Sequence, residues 1–118
     1  MSALVDTHTH IYHKEFARDL PEVMERARAS GVTQFYLPSI DSGSIEAMLG
    51  LELLYPGECH AMMGLHPTSV NATLTSELSL VSSWLSRRPF VAIGEIGLDF
   101  HWDRTFEAQQ YEAFRAQI

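Results

Sequence analysis

Ala3-Leu4-Val5-Asp6-Thr7-His8-Thr9-His10 is a short β-rich run that ends in two histidines one residue apart. On an extended strand, residues two apart share a face. His8 and His10 therefore look the same way from the C-terminal end of a strand. Asp6 shares their alternation and is expected beneath them, as an acceptor that orients an imidazole N–H. Two imidazoles converging at one strand end suit a divalent cation. A pair of polar histidines with no metal is the other reading of the same letters.

Helical and β-rich patterns alternate from there. Phe16, Leu20, Val23, Met24 and Ala27 recur on one helical face, and Gly31 stands where a C-terminal cap would. Residues 32–37 form a second β-rich run, ended by Pro38. A helix with Ile45, Met48, Leu49 and Leu53 follows, stopped by Tyr55-Pro56-Gly57. Residues 59–63 form a third run, leading into Gly64-Leu65-His66-Pro67. The next helix carries Leu74, Leu78, Val81 and Leu85, with Arg87 and Arg88 at the negative end of its dipole. Residues 90–93 form a fourth run. A last helix has Phe106, Phe114 and Ile118 as inward residues and Thr105 as its cap.

Four β-α units in succession predict an α/β fold with parallel strands. Eight such units make a (β/α)8 barrel of about 250 residues, so these 118 are expected to be the N-terminal half of one, a single domain of a truncated chain. A half barrel has open sheet edges, which invites self-association. A self-contained four-stranded α/β sheet is the alternative.

Composition narrows the partners. A net charge of −7 argues against a broad basic surface that grips nucleic acid by its backbone. It leaves room for an enzyme that meets phosphates through bound cations. The single cysteine, Cys59, can form no intramolecular disulfide. No apolar run is long enough for a signal peptide or a membrane span, so the expectation is a cytoplasmic protein without a membrane partner.

Two further strand ends carry chemistry. Gly94-Glu95-Ile96-Gly97-Leu98-Asp99 follows the fourth run directly. Its glycines permit a tight turn, and Glu95 then projects at the same rim as the histidines. A carboxylate there can bridge two metal ions, or hold one beside the imidazoles. Alternatively, it caps the sheet or pairs with a cation. Asp99 is a candidate for anchoring the loop, supporting a ligand or contacting substrate. His66, held extended by Pro67, is a candidate phosphate contact or proton carrier, with a locally bonded loop histidine as the alternative. His101 and Trp102 are candidates for a base-stacking wall, or Trp102 for packing over the mouth of the sheet. His13, His60, Cys59, Met62 and Met63 read as locally satisfied or core residues.

Val5-Asp6-Thr7-His8-Thr9-His10, Gly64-Leu65-His66-Pro67 and Gly94-Glu95-Ile96-Gly97-Leu98-Asp99, in that order, resemble the TatD-related deoxyribonucleases. These belong to the wider amidohydrolase-like metal-dependent hydrolases. The resemblance extends to Phe106-Glu107-Ala108-Gln109-Gln110. It implies a TIM-type barrel with one or two divalent ions (Mg, Zn or Mn) at its C-terminal rim. By position, His8, His10 and Glu95 match the family's first three ligands, with Glu95 also the catalytic candidate. Two more histidines and an aspartate come from later strands in that family, so the 118 residues alone would be incomplete as an enzyme. The family commonly has an apolar residue and then Asp or Asn after the His-x-His. Here Ile11 fits and Tyr12 departs.

Three functions compete on this reading. The first is exonucleolytic hydrolysis of DNA phosphodiesters by metal-activated water, with His66, Asp99 and Trp102 holding the strand. The second keeps the ligands and changes the substrate to another ester or amide, such as an aminoacyl-tRNA. The third is a catalytically silent half barrel that associates with a partner.

Overall fold

The computed structural model describes residues 2–118. Three strands, β1 (Leu4–Asp6), β2 (Val32–Pro38) and β3 (Cys59–Met62), form a parallel sheet in the order β1-β2-β3. Four helices accompany them: α1 (Leu20–Ala29), α2 (Ile45–Leu54), α3 (Leu74–Arg87) and α4 (Glu107–Gln117). The architecture is an open α/β sheet. Phe35 and Leu37 of β2 and Cys59 and Ala61 of β3 point into the core, where they join Met24, Met48, Leu51, Leu65, Val81 and Ala113. Gln34, Tyr36 and His60 occupy the alternate positions and remain half-buried. On that second face, His60 Nε2 lies 2.5 Å from Gln34 Oε1, so His60 is satisfied locally. Burial pushes the Cys59 thiol up to about 12, as befits a core thiol rather than a reactive one.

The fourth run departs from expectation. Residues 90–93 form no strand, and only a parallel bridge between Met63 and Ile93 remains, tied by Gly94 N–H to the Met63 carbonyl at 2.8 Å. The reason is visible on the free edge of β3. There the Ala61 N–H donates to the Glu52 carboxylate at 2.6 Å, and Arg88 donates to the other Glu52 oxygen at 2.6 Å. A side chain thus takes the donor that a fourth strand needs. Burial works to raise the Glu52 pKa. The hydrogen bonds from Arg88 and Ala61 overcome it, and the carboxyl lies below its ordinary value. Val91 and Ile93 stay exposed.

Helix ends differ in smaller ways. Phe16 lies in a separate short turn, Lys14–Phe16, and α1 begins only at Leu20, with Pro21 in its first turn. Thr105 does not cap α4. Its N–H and hydroxyl bond instead to Asp103 Oδ1 in the preceding turn. Ile118 is exposed, and the buried residues of α4 are Gln110 and Ala113.

Candidate metal centre

Beyond β1 the chain bends at Thr7 and His8 and remains attached to the sheet. Thr9 N–H donates to the Tyr36 carbonyl at 3.0 Å, which carries the rim one step past the strand. Asp6 Oδ1 accepts the backbone N–H of His8 at 3.2 Å. It shapes this turn and does not orient an imidazole, because its carboxylate is engaged two residues along the backbone rather than beneath a ring. The side chain that meets an imidazole nitrogen is a different one. His10 Nδ1 lies 3.0 Å from the Tyr12 hydroxyl, which in turn donates to the Pro38 carbonyl at 2.5 Å.

The other lip is set by Gly94. A Cβ at this position would meet the Met62 carbonyl oxygen at 2.6 Å and Pro38 Cα at 3.3 Å. Only glycine lets the backbone lie this close across the ends of β2 and β3. The next residue is Glu95, which is thereby delivered to the ends of all three strands. Gly97, at φ 144°, then turns the loop away.

Three imidazoles meet that carboxylate. His8 Nε2 is 3.0 Å from Glu95 Oε2, and His10 Nε2 is 3.6 Å from the same oxygen. His66 Nε2 is 2.9 Å from Oε1. The rings of His8 and His10 meet edge to face at 5.1 Å. One ligand atom from each of His8, His10 and Glu95 falls within 4.8 Å of the others. Ligands bonded to one tetrahedral ion at about 2 Å stand about 3.3 Å apart, close to the 3.0 and 3.6 Å that separate the two imidazoles from Glu95 Oε2, so the trio could close around a divalent cation. Two imidazoles and a carboxylate are a donor set suited to zinc or manganese, and acceptable to magnesium through the oxygen. The His10 pKa is lowered, first by burial and then by the neighbouring His8, against the opposing pull of Glu95. His10 is thus neutral at pH 7 and retains a lone pair for coordination.

His66 has the extended backbone expected before a proline, φ −63° and ψ 138°. Its Nδ1 accepts the Thr68 N–H at 3.1 Å. One nitrogen of His66 is therefore bonded locally, and the other faces Glu95. Asp99 and Trp102 do not reach the carboxylate. Asp99 Oδ1 accepts the His101 N–H at 3.0 Å, so it anchors its own loop. Trp102 is 78% exposed, and its ring meets that of His101 edge to face at 4.6 Å. Asp99 and Trp102 both line a small cleft of about 60 Å³ together with Pro67 and Thr68, the residues that follow His66.

Sequence reasoning missed the residues that brace this rim. Buried Ser39 donates its hydroxyl to the Gly64 carbonyl and accepts the Gly64 N–H at 2.9 Å, which joins the ends of β2 and β3. Gln110 of α4, 4% exposed, exchanges two hydrogen bonds with the Asp99 backbone at 2.8 and 2.9 Å. Gln117 accepts the Leu65 N–H at 2.7 Å. The only available signal was a pair of glutamines on the inward side of the last helix.

The profile of the family described as TatD related DNase matches residues 5–118, a span that contains every residue of this site. The chain belongs to the TatD-related DNase family. Among its TatD-related relatives, the uncharacterized metal-dependent hydrolase YabD of Bacillus subtilis is 34% identical over 115 residues, which is 98% of this chain and 45% of YabD. The 3'-5' ssDNA/RNA exonuclease TatD of Yersinia pseudotuberculosis is 34% identical over 104 residues, 88% of this chain and 40% of that protein. The crystal structure of YjjV, a TatD homolog from Escherichia coli, superposes with a TM-score of 0.82 at 32% identity, covering 97% of this chain and 44% of YjjV. The chain thus spans less than half the length of each of these TatD-related proteins.

Proposed function

We propose that this chain is the N-terminal half of a (β/α)8 barrel and that His8, His10 and Glu95 are its first divalent-metal ligands. The reaction proposed is exonucleolytic hydrolysis of phosphodiesters in DNA. The observation that carries this reading is the convergence of the His8 and His10 Nε2 atoms on one Glu95 oxygen. Bound there, one or two ions (Mg, Zn or Mn) would lower the pKa of a water and polarise a phosphoryl group. The chain's own residues do the rest. His8 and His10 each offer a ring-nitrogen lone pair. Glu95 has two oxygens facing different partners, the arrangement a bridging carboxylate needs. His66 is within reach of the same centre and can donate a proton to a phosphate oxygen. Trp102 offers an exposed ring on which a base can stack, and the Asp99 loop carries that ring. A net charge of −7 fits a nuclease that meets phosphates through cations rather than through a basic surface.

The test is His8→Ala in the intact protein. Bound metal and exonuclease turnover are both expected to be lost, with the fold retained by circular dichroism. Full activity and full metal content in that variant would remove the reading. Ester or amide substrates such as aminoacyl-tRNA use the same ligands, so turnover of labelled DNA and aminoacyl-tRNA is compared in parallel. The described residues supply three donors to the cluster, which favours a second reading for the 118 residues taken alone: a silent half barrel that pairs with another polypeptide. A metal-free dimer without turnover would support it.

A further inference from the structure

Tyr12 stands where the family pattern has a short polar residue, and its hydroxyl lies at hydrogen-bond distance from a proposed ligand, His10. Its ring is buried, and its hydroxyl is the middle of a short chain of polar atoms. On one side the Pro38 carbonyl oxygen lies 2.5 Å away. On the other, His10 Nδ1 lies at 3.0 Å.

The roles of these atoms follow from their chemistry. A carbonyl oxygen can only accept, and a phenol has one proton to give. The Tyr12 proton therefore goes to Pro38, and the hydroxyl turns a lone pair toward His10. A ring nitrogen that faces a lone pair at hydrogen-bond distance has to bring the proton itself. His10 is then the Nδ1–H tautomer, and in a neutral imidazole this leaves Nε2 bare. The remaining geometry agrees. His10 Nε2 sits 3.6 Å from Glu95 Oε2, beyond a good hydrogen bond, as expected for two acceptors that face each other.

His66 is wired in the opposite sense. Its Nδ1 accepts from the Thr68 N–H, so its Nε2 bears the proton and donates to Glu95 Oε1 at 2.9 Å. The same carboxylate thus faces one imidazole lone pair and one imidazole proton, each fixed by a different partner. Among the described residues, His8 has no hydrogen-bond partner at Nδ1.

We propose that Tyr12 is a positioning residue that selects the Nδ1–H tautomer of His10 and so turns the Nε2 lone pair into the site. A ligating histidine commonly gives its second N–H to a carboxylate or a backbone carbonyl. In this chain a phenol is interposed, and the carbonyl at the end of β2 orients the ring through it. The tautomer stands on the hydrogen-bond geometry alone. Its consequence for metal affinity rests on the reading of His10 as a ligand.

The experiment is a long-range 1H–15N correlation spectrum of the metal-free intact protein, uniformly 15N-labelled, at pH 8. In the unsubstituted protein, the His10 Nδ1 resonance is expected at the protonated position and Nε2 at the unprotonated one, with the reverse for His66. In Tyr12→Phe, which keeps the ring and removes the hydroxyl, His10 is expected to shift toward the Nε2–H form. Zn2+ affinity by competition titration is expected to fall tenfold to a hundredfold, the usual effect of losing an outer-shell partner. A merely structural role for Tyr12 would leave the tautomer of His10 untouched. An Nε2–H form of His10 in the unsubstituted protein overturns the proposal without any variant. So does a Tyr12→Phe protein that retains both the Nδ1–H form and the affinity. If the unsubstituted protein takes up no Zn2+, the ligand reading fails, and the spectrum alone still decides the wiring.

Discussion

Glu95 is the residue on which the site turns, with two oxygens serving three imidazoles. Its backbone position is set by its neighbour rather than by its own side chain. Gly94 sets it by lying against the Met62 carbonyl where a Cβ would not fit. His10 contributes a testable pH dependence. Its folded pKa is lowered from 6.5, chiefly by burial, so the unfolded chain takes up a proton at this site before the native protein does. Stability from this group is complete above pH 6.5. It declines as pH falls through the interval between 6.5 and the lowered native value. Urea unfolding of the metal-free protein between pH 5 and 7.5 is expected to show that decline and to lose it in His10→Gln. Equal slopes in the two proteins would contradict the assignment. That His8, His10 and Glu95 share one rim was legible in sequence because each closely follows a β-rich run, although the two histidines lie past the end of β1 and meet through the bend after it rather than through strand alternation. Tyr12 was not legible in this role. What it does depends on where β2 ends, 26 residues later in the chain. Asp6 was misread for a related reason: alternation gives the side of a strand, not the atom a carboxylate will choose.

At the scale of the element, the edge of β3 governs the fourth β-rich run. Residues 90–93 have the apolar composition of a strand, and composition is all that the sequence offers. Whether they pair depends on a donor in another element. Glu52 from α2 takes the Ala61 N–H, and Arg88 secures Glu52 while lying 4.2 Å from the centre of the Phe90 ring. Replacing Glu52 by alanine would leave a buried amide without its acceptor. We expect Glu52→Ala to cost about 1–3 kcal/mol, the usual penalty for an unsatisfied buried group. Faster amide exchange at Ala61 should accompany the loss. Unchanged stability and exchange would mean that the amide finds another acceptor. The first three strands, α1 and α3 were readable because each carries its own period and its own stops; α2 and α4 were located as helices, but their inward faces were only partly readable, since Leu53 and Ile118 are exposed and Gln110 is buried. The bracing by Ser39, Gln110 and Gln117 was not, since these bonds join segments far apart in the chain.

At the scale of the whole molecule, one face of the sheet is packed by helices, and the site lies at the C-terminal ends of its strands. That is where parallel α/β sheets gather functional side chains, since every loop leaving a strand starts there. The acidic balance of the chain and the convergence of imidazoles with a carboxylate fit together if a cation stands between protein and phosphate. A chelated protein is then expected to lose its hold on DNA. The most direct measurement of the central claim is anomalous X-ray diffraction from crystals of the intact protein grown with Zn2+ or Mn2+. The account predicts an anomalous peak about 2 Å from the Nε2 atoms of both His8 and His10 and from a Glu95 oxygen. Crystals with a fully ordered Glu95 bonded only to His8 and His66, and no peak at that rim under saturating metal, would contradict it.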